Sequence, residues 1–200
     1  MSPRRRRRGP AAWACASLAL ALLSGTSHAA AAEDGTLDEL MALLAQRRHG
    51  EADFQQTQYL AVLKQPQRSE GVLSYDAPDH LEQRTLKPRA QSAVLDHGVL
   101  TLTSGARRRT LRLDDYPQLA PLIDSMRATL AGDRAALERR FELHLTGDLA
   151  HWQLDLQPRD ERLAAIVQRI HLLGERDEIR EVEVQQSDGD RSLMIIQPRP

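Results

Sequence analysis

Residues Gly71 to Pro88 read GVLSYDAPDHLEQRTLKP, two short alternating segments joined through a proline. A period of two puts every second side chain on one face, and Pro78 cannot donate to a strand ladder. The stretch therefore predicts two strands with a break between them. Leu73 and Tyr75 share a face in the first segment, and Leu81 to Leu86 resumes the pattern in the second. The same alternation recurs along the chain. Asp96-His97-Gly98 predicts a tight hairpin between Ala93-Val94-Leu95 and Val99 to Thr103, where Leu100 and Leu102 share a face. Ser104-Gly105 predicts the next turn, before a strand carrying Leu111 and Leu113. Phe141, Leu143 and Leu145 alternate with Glu142, His144 and Thr146. Trp152, Leu154 and Leu156 alternate with Gln153 and Asp155. Strands near Val167 to Leu173, Ile179 to Gln186 and Arg191 to Ile196 complete the pattern, with Asp188-Gly189 as a two-residue hairpin turn.

Helical spacing interrupts this alternation in a few places. Thr36 to Glu39 reads as a capping box, followed by Leu37, Leu40, Met41 and Leu44, with Gly50 ending the pattern. Tyr116-Pro117 opens a second helix with the apolar stripe Leu119, Leu122, Ile123, Met126 and Leu130, and Gly132 ends it. Asp133 caps a third short helix, and a helical turn falls near Glu161 to Ala165. About ten to eleven antiparallel strands with about three covering helices make one α+β domain. A sheet that long must curl.

The N-terminus reads as an export signal. Arg4 to Arg8 form a positive segment, Ala11 to Leu23 an apolar run of 13 residues, and Ser27-His28-Ala29 a small-x-small cleavage site. The run is short for a membrane span. Residues 1–29 are expected to be removed, leaving one domain over residues 30–200 and a periplasmic location. The cut removes five arginines and no acid, leaving 22 basic against 28 acidic residues, a formal charge of about −6. That balance disfavours a nucleic-acid partner. It also removes the sole cysteine, Cys15, so the mature chain has no disulfide, thiol nucleophile or thiolate metal site.

Catalytic equipment is sparse. No G-x-S-x-G elbow surrounds any serine, Ser192 included. The six histidines after residue 29 are scattered and never form H-E-x-x-H. Asp188-Gly-Asp190-Arg-Ser192 lacks the glycine and glutamate of a calcium loop and reads as a hairpin. No metal, cofactor or catalytic residue is expected. An exported sheet domain of this kind holds something rather than converting it.

The order of several weak motifs resembles the LolA-type outer-membrane lipoprotein carriers. They are Ala52-Asp-Phe54-Gln-Gln-Thr57, Gly71-Val-Leu73-Ser-Tyr75 with Pro78 and Leu81, Pro88, and Leu95-Asp-x-Gly98. Ala131-Gly132-Asp133, Phe141, Trp152 to Pro158, Ile170 and Asp188 to Ser192 continue the match. The resemblance implies an unclosed, strongly curved antiparallel half-barrel with helices as a lid, whose apolar cavity takes acyl chains in the periplasm. It is closest to a divergent branch. Ala77 stands where the housekeeping carriers place an arginine before the proline to lock the lid, and aromatics are few. A weaker lid latch follows. The implied partners are a lipid or acylated cargo, an inner-membrane exporter and an outer-membrane acceptor, with the carrier itself a monomer.

Leu73, Tyr75, Leu100, Leu102, Trp152, Leu154 and Leu156 all fall on alternating apolar faces. Any one of them reads as ordinary core beneath the helices. As a set, and with the resemblance, they form the expected cavity wall. Leu119, Leu122, Ile123 and Met126 read from pattern alone as a fixed core helix, and the resemblance makes them a lid. Arg107-Arg-Arg109 beside Arg112 is a basic patch, either a solvated hairpin face or a dock for an acidic partner or lipid headgroup. The expected function is an acyl-chain carrier. A lipid-sensing or chaperone module on the same fold and an envelope hydrolase are the alternatives.

Overall fold

The computed structural model describes residues 28–116 and 120–199. Strands β1 (His49–Tyr59), β2 (Gln67–Asp76), β3 (His80–Lys87), β4 (Gln91–Asp96), β5 (Val99–Ser104) and β6 (Arg107–Arg112) follow helix α1 (His28–Gln46). A 3-10 turn at Leu113–Asp115 leads to α2 (Ala120–Leu130) and α3 (Arg134–Glu138). Strands β7 (Phe141–Asp148), β8 (His151–Pro158), β9 (Val167–Glu175), β10 (Glu178–Gln186) and β11 (Arg191–Pro198) complete the chain, with α4 (Glu161–Ala164) between β8 and β9. All eleven strands form one antiparallel sheet in the order β6-β5-β4-β3-β2-β1-β11-β10-β9-β8-β7. The sheet is unclosed, as the resemblance implied.

The local signals act largely as their chemistry requires. His97 and Gly98 both have positive φ, at 47° and 74°, the conformation of a two-residue hairpin turn between β4 and β5. Asp133 caps α3 by accepting from the Ala136 N–H at 2.9 Å. Gly132 has φ +64°. The Asp133 and Gly132 N–H groups return to the Ala128 and Thr129 carbonyls at 2.8 and 3.1 Å, closing α2 in a Schellman motif. A Cβ on Gly132 would also lie 2.0 Å from the Met41 carbonyl oxygen, so glycine lets the end of α2 dock on α1.

Three boundaries differ from expectation. Helix α1 begins at His28, so Thr36 lies inside it and is not its cap. It ends at Gln46, and Gly50 is already part of β1. The connection between β10 and β11 holds four residues, Ser187 to Asp190, rather than two. Gln186 N–H donates to the Asp190 carbonyl at 2.8 Å, and Gly189 takes the positive φ of 92°. Pro117 and Leu119 lie outside the described residues.

The packed core occupies one half of the sheet. Leu37, Leu40, Met41 and Leu44 of α1, Leu137 of α3 and Leu163 of α4 bury the face of β7, β8 and β9 carrying Phe141, Leu145, Trp152, Leu154, Leu156, Val167, Ile170 and Leu172. The Trp152 indole crosses Gly174 on β9, where a Cβ would lie 2.0 Å from the ring, and donates to the Arg176 carbonyl at 2.9 Å. Arg47, just past α1, is clamped by Asp177 at 2.8 Å and Glu178 at 3.2 Å, and Arg134 of α3 reaches Asp38 of α1 at 2.9 Å. Hydrophobic burial and polar anchors thus hold the same helices to the same half of the sheet.

Candidate functional site: the open half of the inner face

Directly paired residues in an antiparallel sheet share a face. The face buried at β7–β9 can therefore be followed strand by strand to the far edge. Leu154 pairs with Leu172 and Leu172 with Val182, which pairs with Met194. Met194 pairs with Gln56 of β1, and Phe54 on the same side pairs with Gly71 of β2. Beyond β2 this inner face carries three rows. Tyr75, Leu81, Leu95, Leu100 and Leu111 form an apolar row, each paired to the next. Leu73, Gln83, Ala93, Leu102 and Arg109 form a mixed row. Gly71, Thr85, Gln91, Ser104 and Arg107 form a polar one.

The register unites all seven expected cavity residues on this face, but the helices divide them. Trp152, Leu154 and Leu156 are 1%, 0% and 1% exposed and belong to the packed core. Tyr75 is 7% exposed, Leu73 and Leu100 are half-buried, and Leu102 is 37% exposed. A trough of about 870 Å³ is lined from β3 to β6 by Gln83, Thr85, Gln91, Leu102, Arg107 and Arg109 of the inner face, and also by Ser92, Thr103 and Arg108, which the register places on the other face. Of the seven, Leu102 lines this trough. The polar side chains around it carry no apolar alternation, so a reading built on alternating leucines passes over them.

Helix α2 connects the two halves. Its C-terminal end rests on α1 through Gly132, and Leu122 packs against the core. Ile123 is half-buried and Met126 is 51% exposed, so the expected lid stripe does not turn inward as a unit. Ser125 and Thr129 are buried instead, and their hydroxyls donate to the Leu122 and Ser125 carbonyls at 2.7 and 2.8 Å. Hydroxyls satisfied by their own helix can enter a packed face without an unmet hydrogen bond.

Ala77 carries no charge, but a polar tie between α2 and the β2–β3 turn is made by other residues. Arg127 of α2 forms an ion pair with Asp79, in the turn between β2 and β3. The cation sits on the helix and the anion in the loop, two residues past Ala77. Both side chains are mostly shielded, at 29% and 23% exposure, so the pair is less screened than a surface one. Tyr75 lies nearby: burial raises its hydroxyl pKa, while Arg48 and Arg127 act in the opposite direction. Arg127 reads in sequence as an ordinary solvated helix cation, because its partner comes from a distant loop.

On the outer face, Asp155 accepts from Arg169 at 2.5 Å and lies 2.8 Å from His171 Nδ1. Burial pushes its carboxyl up, but these hydrogen bonds outweigh it and hold the group below the usual aspartate range. Among the described residues no cluster of three or more His, Cys, Asp or Glu side chains could hold a metal ion. No described helix is long and apolar enough to cross a membrane.

A family model described as outer membrane lipoprotein carrier protein LolA-like matches residues 28–197. Among solved structures, the LolA superfamily protein NE2245 from Nitrosomonas europaea is similar at 10% identity with a TM-score of 0.45, covering 84% of this chain and 94% of that one. The Pseudomonas aeruginosa MucA/MucB complex matches at 14% identity and a TM-score of 0.46, covering 82% and 56%. A putative outer membrane lipoprotein-sorting protein domain from Vibrio parahaemolyticus matches at 11% identity and a TM-score of 0.39, covering 84% and 93%. Among curated proteins none matches.

Proposed function

This chain belongs to the LolA-like outer membrane lipoprotein carrier family, and on that premise we propose that it is a periplasmic carrier. It takes an acyl chain or lipidated cargo on the inner face and moves it toward the outer membrane, without covalent chemistry. Residues 1–29 direct export and residues 30–200 form the carrier. An inner-membrane exporter supplies the cargo and an outer-membrane acceptor receives it.

One observation carries this reading: the inner face is continuous across the sheet, yet among the described residues α1, α3 and α4 seal only its β7–β9 half, and the rest passes from buried Tyr75 and Leu95 to exposed Leu102. The row from Tyr75 to Leu111 crosses five strands, about 19 Å at the usual inter-strand spacing of about 4.8 Å. That length suits a long acyl chain, and each buried methylene contributes about 0.8 kcal/mol before the cost of ordering the chain. Leu73, Tyr75, Leu100 and Leu102 form the receiving wall. Trp152, Leu154 and Leu156 continue it as the rigid closed end. Helix α2, with Leu122, Ile123 and Met126, is the lid, and Arg127–Asp79 is its latch.

The test is transfer of a fluorescent acylated peptide between donor and acceptor vesicles. The protein should accelerate transfer, and a folded Leu100→Glu/Leu102→Glu variant should not, because it sets two charges against the acyl chain. Failure of the wild-type protein to bind the labelled peptide rejects the proposal. Binding without release points to a lipid-sensing module, and new covalent products point to a hydrolase.

A further inference from the structure

The trough ends at an unusual concentration of charge. Its lining includes Arg107, Arg108 and Arg109 and no carboxylate. Elsewhere many arginines are neutralised: Arg47, Arg127, Arg169, Arg180, Arg191 and Arg199 each pair with an acid. Arg107 and Arg108 make no ion pair among the described residues, and Arg109 meets only the Tyr116 hydroxyl, at 3.5 Å.

The register gives these cations a direction. Arg109 pairs with Leu102 and Arg107 with Ser104, so both belong to the inner face. Alternate residues on a strand stand about 7 Å apart, close enough for two guanidinium groups to meet one anionic group between them. Gln83, Gln91, Thr85 and Ser104 add neutral hydrogen-bonding groups beside them. The apolar row lies two residues farther along each strand, one side-chain position on the same face, from Leu111 and Leu100 inward to Tyr75.

We infer that Arg107 and Arg109 bind the anionic headgroup, phosphate or carboxylate, of an amphiphilic cargo whose acyl chain lies along the row from Leu100 to Tyr75. This rests on the carrier reading and narrows it to negatively charged amphiphiles. Guanidinium forks suit planar carboxylates and phosphates through paired N–H donors.

The experiment compares four probes: a long-chain fatty acid at neutral pH, a lysophosphatidic acid, the fatty alcohol of equal chain length, and inorganic phosphate alone. Affinities are measured for the wild-type protein, for Arg107→Gln/Arg109→Gln, for Arg107→Lys/Arg109→Lys, and for Arg84→Gln. Arg84 is an exposed residue on the outer face of β3 and serves as the control. Both anionic amphiphiles should bind at least about tenfold more tightly than the alcohol, and the glutamine variant should erase that difference while leaving alcohol binding unchanged. The lysine variant should keep part of the preference, since it retains charge but loses the fork. Arg84→Gln should change nothing. Thermal unfolding verifies that each variant is folded.

Equal affinity for acid and alcohol in the wild type overturns the headgroup site and leaves the carrier reading standing. Phosphate binding as tightly as the amphiphiles makes a free anion the ligand and also overturns the inference. Binding of no amphiphile at all removes the carrier reading, and the headgroup site with it.

Discussion

The two halves of the sheet use the same alternation to different ends. On β7–β9 the apolar face is sealed by α1, α3 and α4, and its largest side chains are almost wholly removed from water. On β2–β6 the same face continues in register, yet among the described residues no helix comparable to α1 lies over its outer strands, and leucines pass gradually into glutamines, threonines and arginines. Apolar residues on a strand mark a face that avoids water. What covers that face is decided by the helices, and here they cover half. The sealed half supplies the stability that lets the other half stay open.

The largest expected difference is in stability. Leu154→Ala should cost about 2–5 kcal/mol, because the side chain is fully enclosed and a cavity remains. Leu102→Ala should cost less than about 1 kcal/mol, because the residue is already partly in water. Urea unfolding of both variants measures the contrast. Equal losses would mean that the two halves are packed alike.

The latch comes next. Arg127→Ala and Asp79→Ala should each cost about 1–3 kcal/mol, the range for a hydrogen bond to a charged group. Both should speed exchange of α2 amides with little effect on β8 and β9. A double-mutant cycle isolates the pair, and additive losses would show that it does not couple the helix to the hairpin.

A smaller effect concerns the outer face of the sealed half. Asp155 has its carboxyl pKa held below the ordinary value, so it contributes stability present above the ordinary aspartate range near about pH 4 and lost as pH falls through the depressed value. Asp155→Asn should therefore be less stable than wild type at pH 7, and the two curves should converge in acid. A gap that stays constant from pH 7 to pH 2 would contradict the Arg169 and His171 contacts as its cause.

Much of the fold was legible because its signals are local. His97-Gly98 needs two positive φ angles, and Asp133 needs only the N–H three residues on. The shared face of Leu73, Tyr75, Leu100, Leu102, Trp152, Leu154 and Leu156 was legible too, since a period of two survives any arrangement of neighbours. Which of them would be sealed was not, because that depends on where α1 and α3 come to rest. The start of α1 was missed because Thr36 to Glu39 has the composition of a cap without standing at a helix end. The Arg127–Asp79 pair was missed because Ala77 was weighed alone, while Asp79 and Arg127 meet only through tertiary structure. Ser125 and Thr129 were overlooked because hydroxyls bonded to their own helix bury as readily as small apolar groups.

The most direct test of the central claim is hydrogen exchange followed along the chain with and without a long-chain fatty acid. Without it, β3–β6 and α2 should exchange faster than β8 and β9, whose amides lie in the sealed half. With it, protection should rise in β3–β6 and in α2 while β8 and β9 stay as slow as before, because ligand stabilises only the segments it orders. Protection gained in β8 and β9 alone, or gained nowhere in the open half, would contradict the account.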